Sequence, residues 1–168
     1  MGGKKIAPAG RFVQYESGQG DMSSFKGSYE YSVDSKGRIN IPARLRKYVS
    51  AEANDTFVLT RGYEKCLFVY PLDEWNKLEQ SIRQLSSTNP KHRFFMRTLL
   101  EKATESQLDG QARITIPKEL LQFAGIENDV LILGVLERIE LWNPTTYREY
   151  EKTQTDSYEN VAQTVLQK

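Results

Sequence analysis

Residues 34–42 read Asp-Ser-Lys-Gly-Arg-Ile-Asn-Ile-Pro, and residues 109–117 repeat the pattern as Asp-Gly-Gln-Ala-Arg-Ile-Thr-Ile-Pro. Asp, Arg, both Ile and Pro recur at a constant offset of 75 residues. Internal repeats determine the architecture of a chain, and two copies are too few for a solenoid. The pattern therefore predicts two copies of one half-domain that pair within the chain.

Each copy has the residues of a hairpin turn followed by a short strand and the start of a helix. An aspartate that opens a tight turn, here Asp34 or Asp109, accepts backbone N–H groups two residues on. Gly37 supplies the positive φ where the chain reverses. Ala112 stands at that position in the second copy, so we expect its turn to differ or to carry strain.

The candidate functional residues are the two arginines of the repeats, Arg38 and Arg113. Alternation places them opposite the isoleucines, at the exposed base of each hairpin, where the aspartates and Gly37 orient them. A guanidinium can bond guanine O6 and N7 bidentately or clamp a phosphate. Pairing with the neighbouring aspartate as a surface salt bridge, worth about 0–1 kcal/mol, explains the residues equally well. Basic side chains near the repeats that could contact phosphates are Lys36, Arg44, Arg46, Lys47 and Lys118.

The composition restricts the domain count and the expected compartment but does not identify a partner. A chain of 168 residues with 39% hydrophobic content predicts one compact domain. Lys and Arg number 23 against 22 acidic residues, so net charge does not discriminate between partners. The single cysteine excludes an intramolecular disulfide and a multi-cysteine zinc site. No apolar run approaches the roughly 20 residues that span a bilayer, and nothing resembles a secretory signal, so a cytoplasmic protein is expected.

The remaining pattern predicts the same order of elements in both halves. Residues 1–24 are predicted to be a disordered tail or an added extension, and those after Thr153 a polar, frayed tail. Residues 25–88 and 89–152 form the two repeats, and Pro42 and Pro117 are expected at the first helical position. Strands are predicted over 29–33, 57–60, 66–70, 130–133 and 139–142, and helices over 43–50, 75–85 and 118–125 and from Pro90 and Pro144 onward. The continuously apolar runs at 57–59 and 130–133 are typical of a sheet covered on both faces. Asn89 is expected to cap the helix that starts at Pro90, and Gly125 to end the helix before it.

No constellation for catalysis, metal binding or a cofactor stands out in the sequence. His92 is the only histidine and follows a helix start, where a solvated position is expected. Cys66 lies in an apolar strand without an adjacent base, which favours an inert core thiol over a nucleophile. We therefore predict a protein that is not an enzyme and has no metal, cofactor or small-molecule substrate.

The chain resembles the MraZ family. The resemblance rests on the paired Asp-x-x-x-Arg turns, the Arg-Ile-x-Ile-Pro strands, Tyr-Pro-Leu-Asp-Glu-Trp at 70–75 and Leu-Ser-Ser-Thr-Asn-Pro-x-x-Arg at 85–93. It implies an α+β fold in which two AbrB-like swapped-hairpin repeats pair as a pseudo-symmetric β-barrel with peripheral helices. It also implies protomers assembled in a ring, and a nucleoid-associated transcriptional regulator that binds direct repeats in double-stranded DNA ahead of the division and cell-wall gene cluster. Arg38 and Arg113 would then contact the DNA, with Ala112 as a departure from the family's usual glycine.

An alternative from another class remains open at this point. An oligomeric scaffold, or an antitoxin-like protein-interaction module, could use the Asp–Arg turns to join subunits. Salt separates the two, because neutralised phosphates release counterions and a contact between proteins need not.

Overall fold

The computed structural model describes residues 5–6, 12–13 and 23–167. Its strands are β1 (Lys5–Ile6), β2 (Phe12–Val13), β3 (Ser28–Ser32), β4 (Arg38–Asn40), β5 (Thr56–Arg61), β6 (Cys66–Pro71), β7 (Thr104–Gln107), β8 (Arg113–Thr115), β9 (Asp129–Val135) and β10 (Arg138–Trp142). Its α-helices are α1 (Ala43–Arg46), α2 (Leu72–Arg83), α3 (Pro90–Leu100), α4 (Lys118–Ala124), α5 (Pro144–Lys152) and α6 (Tyr158–Leu166), and a 3₁₀ turn covers Ala51–Ala53. The predicted α+β class is confirmed.

The main sheet exchanges strands between the two halves. It is antiparallel, with six strands in the order β3–β9–β10–β6–β5–β7. At one edge β3 of the first half pairs with β9 of the second, with Tyr31 opposite Val130. At the other edge β7 of the second half pairs with β5 of the first, with Phe57 opposite Ser106. The central pair, β6 and β10, joins the two halves along the middle of the sheet.

The strands of the repeated motif form a separate two-stranded ribbon. β4 and β8 pair antiparallel with each other, with Ile39 opposite Ile114. The predicted closed β-barrel is wrong, because the six-stranded sheet is open and the ribbon forms a ladder of its own, with Thr115 N of β8 donating to the side chain of Ser106 in β7 at 2.9 Å. Each ribbon strand has three residues and is followed within two residues by Pro42 or Pro117, which lacks the N–H that would extend the ladder.

Both faces of the sheet are covered, as its continuously apolar strands predicted. Phe57 and Leu59 belong to one buried cluster, whereas Val58 between them belongs to the other. The first cluster includes the four isoleucines of the ribbon, Ile39, Ile41, Ile114 and Ile116, each at most 2% exposed. Burial of such a side chain is worth about 1.5–3 kcal/mol, so the ribbon is anchored firmly to the sheet.

The helix boundaries follow local capping chemistry. The side chain of Asn89 caps α3 and Pro90 takes its first position, as predicted. Gly125 ends α4 with φ +64°, also as predicted. Pro42 and Pro117 lie one position earlier than predicted, at the N-cap, with ψ of 137° and 142°. Their extended ψ continues the preceding strand, so the helix starts only after them.

The predictions of a tail at each end of the chain have different outcomes. Most of residues 1–24 lies outside the described residues, although β1 and β2 pair antiparallel there. The segment after Thr153, predicted to be frayed, contains helix α6, which Ser157 caps by accepting the N–H of Asn160. The boundaries of the two repeats remain predictions.

Candidate nucleic-acid interface

The first turn is held by the side chain of Asp34. Its Oδ1 accepts the backbone N–H groups of Lys36 and Arg38, each at 2.9 Å, and its Oδ2 accepts Arg38 Nε at 2.7 Å. The turn closes through Gly37 N to Asp34 O at 3.0 Å. Gly37 has φ +75°, and an added Cβ would lie 2.8 Å from the carbonyl oxygen of Ile116. Glycine is therefore required here both by conformation and by space.

The second turn has the same geometry despite its alanine. Asp109 Oδ1 accepts the N–H groups of Gln111 at 2.9 Å and Arg113 at 3.0 Å, and Oδ2 accepts Arg113 Nε at 2.8 Å. Ala112 adopts φ +59°. The turn was expected either to differ or to carry strain, and it carries strain, because an alanine in the left-handed conformation costs about 1–2 kcal/mol.

The ribbon brings the two turns into one surface. Ile41 N donates to Ala112 O at 3.0 Å, and Ile116 N donates to Gly37 O at 2.8 Å. The side-chain amide of Asn40 also donates to Gln111 O at 2.9 Å. No feature of the sequence indicated this bridge, because only the pairing of β4 with β8 places the second turn within reach of Asn40.

Electrostatics keep the arginines oriented. The backbone N–H of Arg38 is the largest cause that lowers the pKa of Asp34, and the guanidinium of Arg38 lowers this pKa further. The backbone N–H of Arg113 likewise lowers the pKa of Asp109. Arg113 Nη1 also lies 3.8 Å from Asp34 Oδ2, which links the two turns. Both aspartates therefore remain ionised beside the arginines at neutral pH.

The guanidinium groups are less exposed than their predicted place at the exposed base of a hairpin implies. The side chains of Arg38 and Arg113 are 27% and 22% exposed. Each binds its own aspartate through Nε. Within the described residues, the Nη1 and Nη2 atoms of Arg38 make no hydrogen bond. These Nη groups are the ones that a bidentate contact to a base or phosphate uses.

The predicted phosphate-contacting side chains divide between the turns. A concavity of about 600 Å³ beside the first turn is lined by Lys36 and Lys118, among others. A second, of about 290 Å³ beside the second turn, is lined by Arg46, whose Nε donates to the carbonyl oxygen of Ile41 at 3.1 Å. Arg44 is exposed on α1 and lines neither concavity. The structure thus brings Lys36 and Lys118 together and gives Arg46 a structural contact.

Cys66 and His92, the other candidate residues, are held by burial and by a backbone hydrogen bond, respectively. Cys66 is fully buried, and burial raises the pKa of its thiol to about 12. His92 Nδ1 accepts the backbone N–H of Ser86 at 3.0 Å. Within the described residues, no cluster of three or more His, Cys, Asp or Glu side chains is arranged to hold a metal ion. Among the helices of this part of the chain, none is long and apolar enough to cross a membrane.

Comparisons with known proteins identify the family. The model of the family described as "MraZ protein, putative antitoxin-like" matches twice, over residues 24–98 and 99–168. The transcriptional regulator MraZ of Natranaerobius thermophilus is 42% identical over 142 residues, which are 84% of this chain and 96% of that protein. The protein of the same name from Halothermothrix orenii is 44% identical over 138 residues, 82% of this chain and 94% of its own. The chain described here belongs to the MraZ family.

Proposed function

We propose that this protein is a sequence-specific transcriptional regulator that binds double-stranded DNA through its two arginine turns. The observation that carries the proposal is the pair of turns held side by side by the β4–β8 ribbon, each with an arginine fixed at Nε by an aspartate. Relatives over most of the chain are named transcriptional regulators, which supports the same conclusion.

The chemistry of the turns suits recognition of a base edge. A guanidinium held through Nε has lost most of its rotamer freedom, so less entropy is lost when its Nη groups bond guanine O6 and N7. Lys36 and Lys118, exposed beside the first turn, would contact phosphates and position the arginines, and Arg44 would extend this contact along α1. Arg46 would contribute charge while its Nε holds the end of β4.

The crossed strand pairing supports an AbrB-like, swapped-hairpin relation between the halves. β3 pairs with β9 and β7 pairs with β5, so each half supplies an edge strand to the other. In this proposal the protomers assemble as a ring that acts in the cytoplasm, on the nucleoid. The target is a set of DNA sites upstream of the division and cell-wall gene cluster and of the protein's own gene. These sites are direct repeats, because ring neighbours are related by rotation.

A titration of fluorescent DNA with the full-length protein tests the proposal. The probe is the region upstream of the protein's own gene, and a scrambled duplex of equal length is the control. We expect tighter binding to the upstream region and an affinity that falls steeply as salt rises from 50 to 200 mM, because bound phosphates release counterions. Equal affinity for both duplexes would contradict sequence recognition. No measurable binding at low salt would favour the scaffold or antitoxin-like alternative, which the family description also mentions.

A further inference from the structure

Helix α6 presents an apolar face that nothing in the described part of the chain covers. None of its residues is buried, and Tyr158, Val161 and Val165 are 82%, 45% and 72% exposed. Their spacing of three and four residues puts them on one side of the helix, and Leu166, 78% exposed, lies beside them. A helix of nine residues is marginal in water on its own, so this face needs a packing partner.

Helix α3 contributes to a second apolar surface elsewhere on the molecule. An open depression of about 200 Å³ lies between α3 and the β5–β6 turn. Phe94 and Tyr63 on its rim are 72% and 68% exposed, while Leu99 at its base is buried. Tyr63 also stacks at a tilt on Phe95, with their ring centroids 6.4 Å apart. The depression can receive a large apolar side chain.

The charges around the two surfaces are opposite. Helix α3 carries Lys91, Arg93 and Arg97 and no carboxylate. The stretch 156–167, which contains α6, carries the carboxylates of Asp156 and Glu159 and no Lys or Arg, and neither carboxylate forms an ion pair within the described residues. Glu149 and Glu151 lie on the preceding helix α5, beside Lys152. Complementary charge around apolar patches favours a defined partner and orientation over non-specific association.

We propose that α6 of one protomer docks on the α3 surface of the next protomer. The apolar face of α6 would fill the depression beside Phe94, and the carboxylates of its segment would meet the cations of α3. Because the two patches are different surfaces, each protomer can offer one to the protomer before it and the other to the protomer after it, and such head-to-tail contacts form closed rings or open filaments. The inference rests on the proposed ring and names the surfaces that build it.

Two single substitutions block the contact from opposite sides. Val165→Glu places a carboxylate on the apolar face of α6, and Phe94→Glu places one on the rim of the depression. Both positions are 72% exposed, so neither change disturbs the core. We expect light scattering to show each variant as a monomer at concentrations where the wild type is assembled, with unchanged circular dichroism. Gln163→Glu adds the same charge on the far side of α6 and should assemble like the wild type.

Mixing the two variants separates this contact from other arrangements. Val165→Glu keeps an intact α3 surface, and Phe94→Glu keeps an intact α6. An equimolar mixture should therefore form a dimer that stops at two subunits, because the remaining surfaces of that dimer are both blocked. A contact between two α6 helices would instead leave Phe94→Glu assembled on its own and would overturn the proposal.

The outcomes distinguish this inference from the function on which it rests. A wild type that is assembled while both variants keep its mass would refute the docking and leave the ring intact. A monomeric wild type would refute both the ring and the docking, whereas binding to a single DNA site would be unaffected. If the glutamates lowered the melting temperature, the uncharged double variant Tyr158→Ser/Val165→Ser would replace Val165→Glu. Assembly of that variant like the wild type would equally overturn the proposal.

Discussion

The two turns of the repeat share their hydrogen bonds and their geometry but differ in the residues between the aspartate and the arginine. Each aspartate accepts two backbone N–H groups and one arginine Nε, at distances that agree within 0.1 Å. Yet Gly37 in one corresponds to Ala112 in the other, and Lys36 corresponds to Gln111. The aspartate and the arginine therefore define this turn, whereas the residue in the left-handed conformation can be glycine or, at a cost in free energy, alanine.

The surroundings of the turns differ in charge as well. The first faces a concavity lined by Lys36 and Lys118 along with Glu127, and the second faces one lined by Arg46 and Asp55. Because Arg46 is also bonded to a backbone carbonyl, fewer cations are available beside the second turn. We therefore expect the first turn to contribute more of the binding to DNA.

The largest effect should come from presenting several turns to one duplex. A single bidentate arginine supplies only about 1–3 kcal/mol of discrimination, whereas a specific site exceeds non-specific binding by roughly 4–10 kcal/mol. Tandem copies of the site should bind about 10²–10⁴-fold more tightly than one copy, because later contacts form at a high effective concentration. Anisotropy titrations at one salt concentration measure the ratio.

A duplex with one repeat displaced by half a helical turn is the control for that measurement. Most of the gain should disappear, since the second set of turns would face the wrong side of the duplex. Equal affinity for single and tandem sites would mean that one subunit's pair of turns is sufficient.

Removing the arginines one at a time compares the two turns directly. Arg38→Ala should weaken DNA binding by about 5- to 150-fold, as expected for the loss of one bidentate pair of about 1–3 kcal/mol. Arg113→Ala should act in the same direction with a smaller effect, because its turn has fewer basic neighbours. Gel shifts with equal amounts of folded protein provide the measurement.

Arg83→Ala removes the same charge from α2, where the side chain is 76% exposed, and should leave affinity unchanged. Equal losses for Arg38→Ala and Arg113→Ala would remove the proposed difference between the turns. Full affinity combined with breakdown into smaller species would make the turns subunit contacts instead.

Exchanging the left-handed residues should affect stability unequally. Gly37→Ala combines a backbone cost of about 1–2 kcal/mol with the approach to the Ile116 carbonyl oxygen, so we expect the melting temperature to fall by roughly 4–8 °C. Ala112→Gly relieves the strain at φ +59° and should raise the free energy of unfolding by up to about 1 kcal/mol. Thermal melts of both variants and of the wild type measure these changes in stability. Destabilisation by Ala112→Gly would show that its methyl group packs usefully.

The smallest expected effect is the pH dependence of stability when the aspartate at the start of a turn is replaced by asparagine. The pKa of Asp34 is lowered in the folded protein, so its ionised form contributes stability above the unfolded pKa of about 3.9. That contribution is lost as pH falls through the folded pKa. Asp34→Asn should therefore melt below the wild type at pH 7, and the gap should narrow below about pH 4. A gap that stays constant with pH would assign the effect to packing instead of charge. Asp109→Asn should behave alike, since the pKa of Asp109 is lowered for the same reason.

The local elements could be predicted from sequence because their causes are local. The repeat located both turns, and alternation identified the buried isoleucines. Continuously apolar strands identified the sheet covered on both faces, as Phe57 and Val58 show on their opposite faces. Caps such as Asn89 followed from side-chain chemistry close in the chain. The arginines were placed correctly beside their aspartates for the same reason.

What could not be predicted depends on contacts between distant parts of the chain. The prediction of a barrel was wrong because closure depends on which strands share hydrogen bonds, and no local pattern encodes the separate ladder of β4 and β8. The same pairing gives Asn40 its bond to Gln111. Whether the second turn would change its shape or accept strain could not be decided from sequence, because the outcome depends on the three hydrogen bonds of Asp109, which offset the cost at Ala112.

The exchange of edge strands also determines when each strand can pair with its partner during synthesis. Tyr31 pairs with Val130, so the first edge of the sheet stays open until nearly the whole chain has left the ribosome. At about 5–20 residues per second, the roughly one hundred residues between them take on the order of 5–20 s to make. For the part of that interval before residues 104–107 emerge, the apolar strand β5 also has no β7 beside it. A polysome carrying many nascent copies therefore holds unpaired edges close together, where strands from neighbouring chains compete for the same partner.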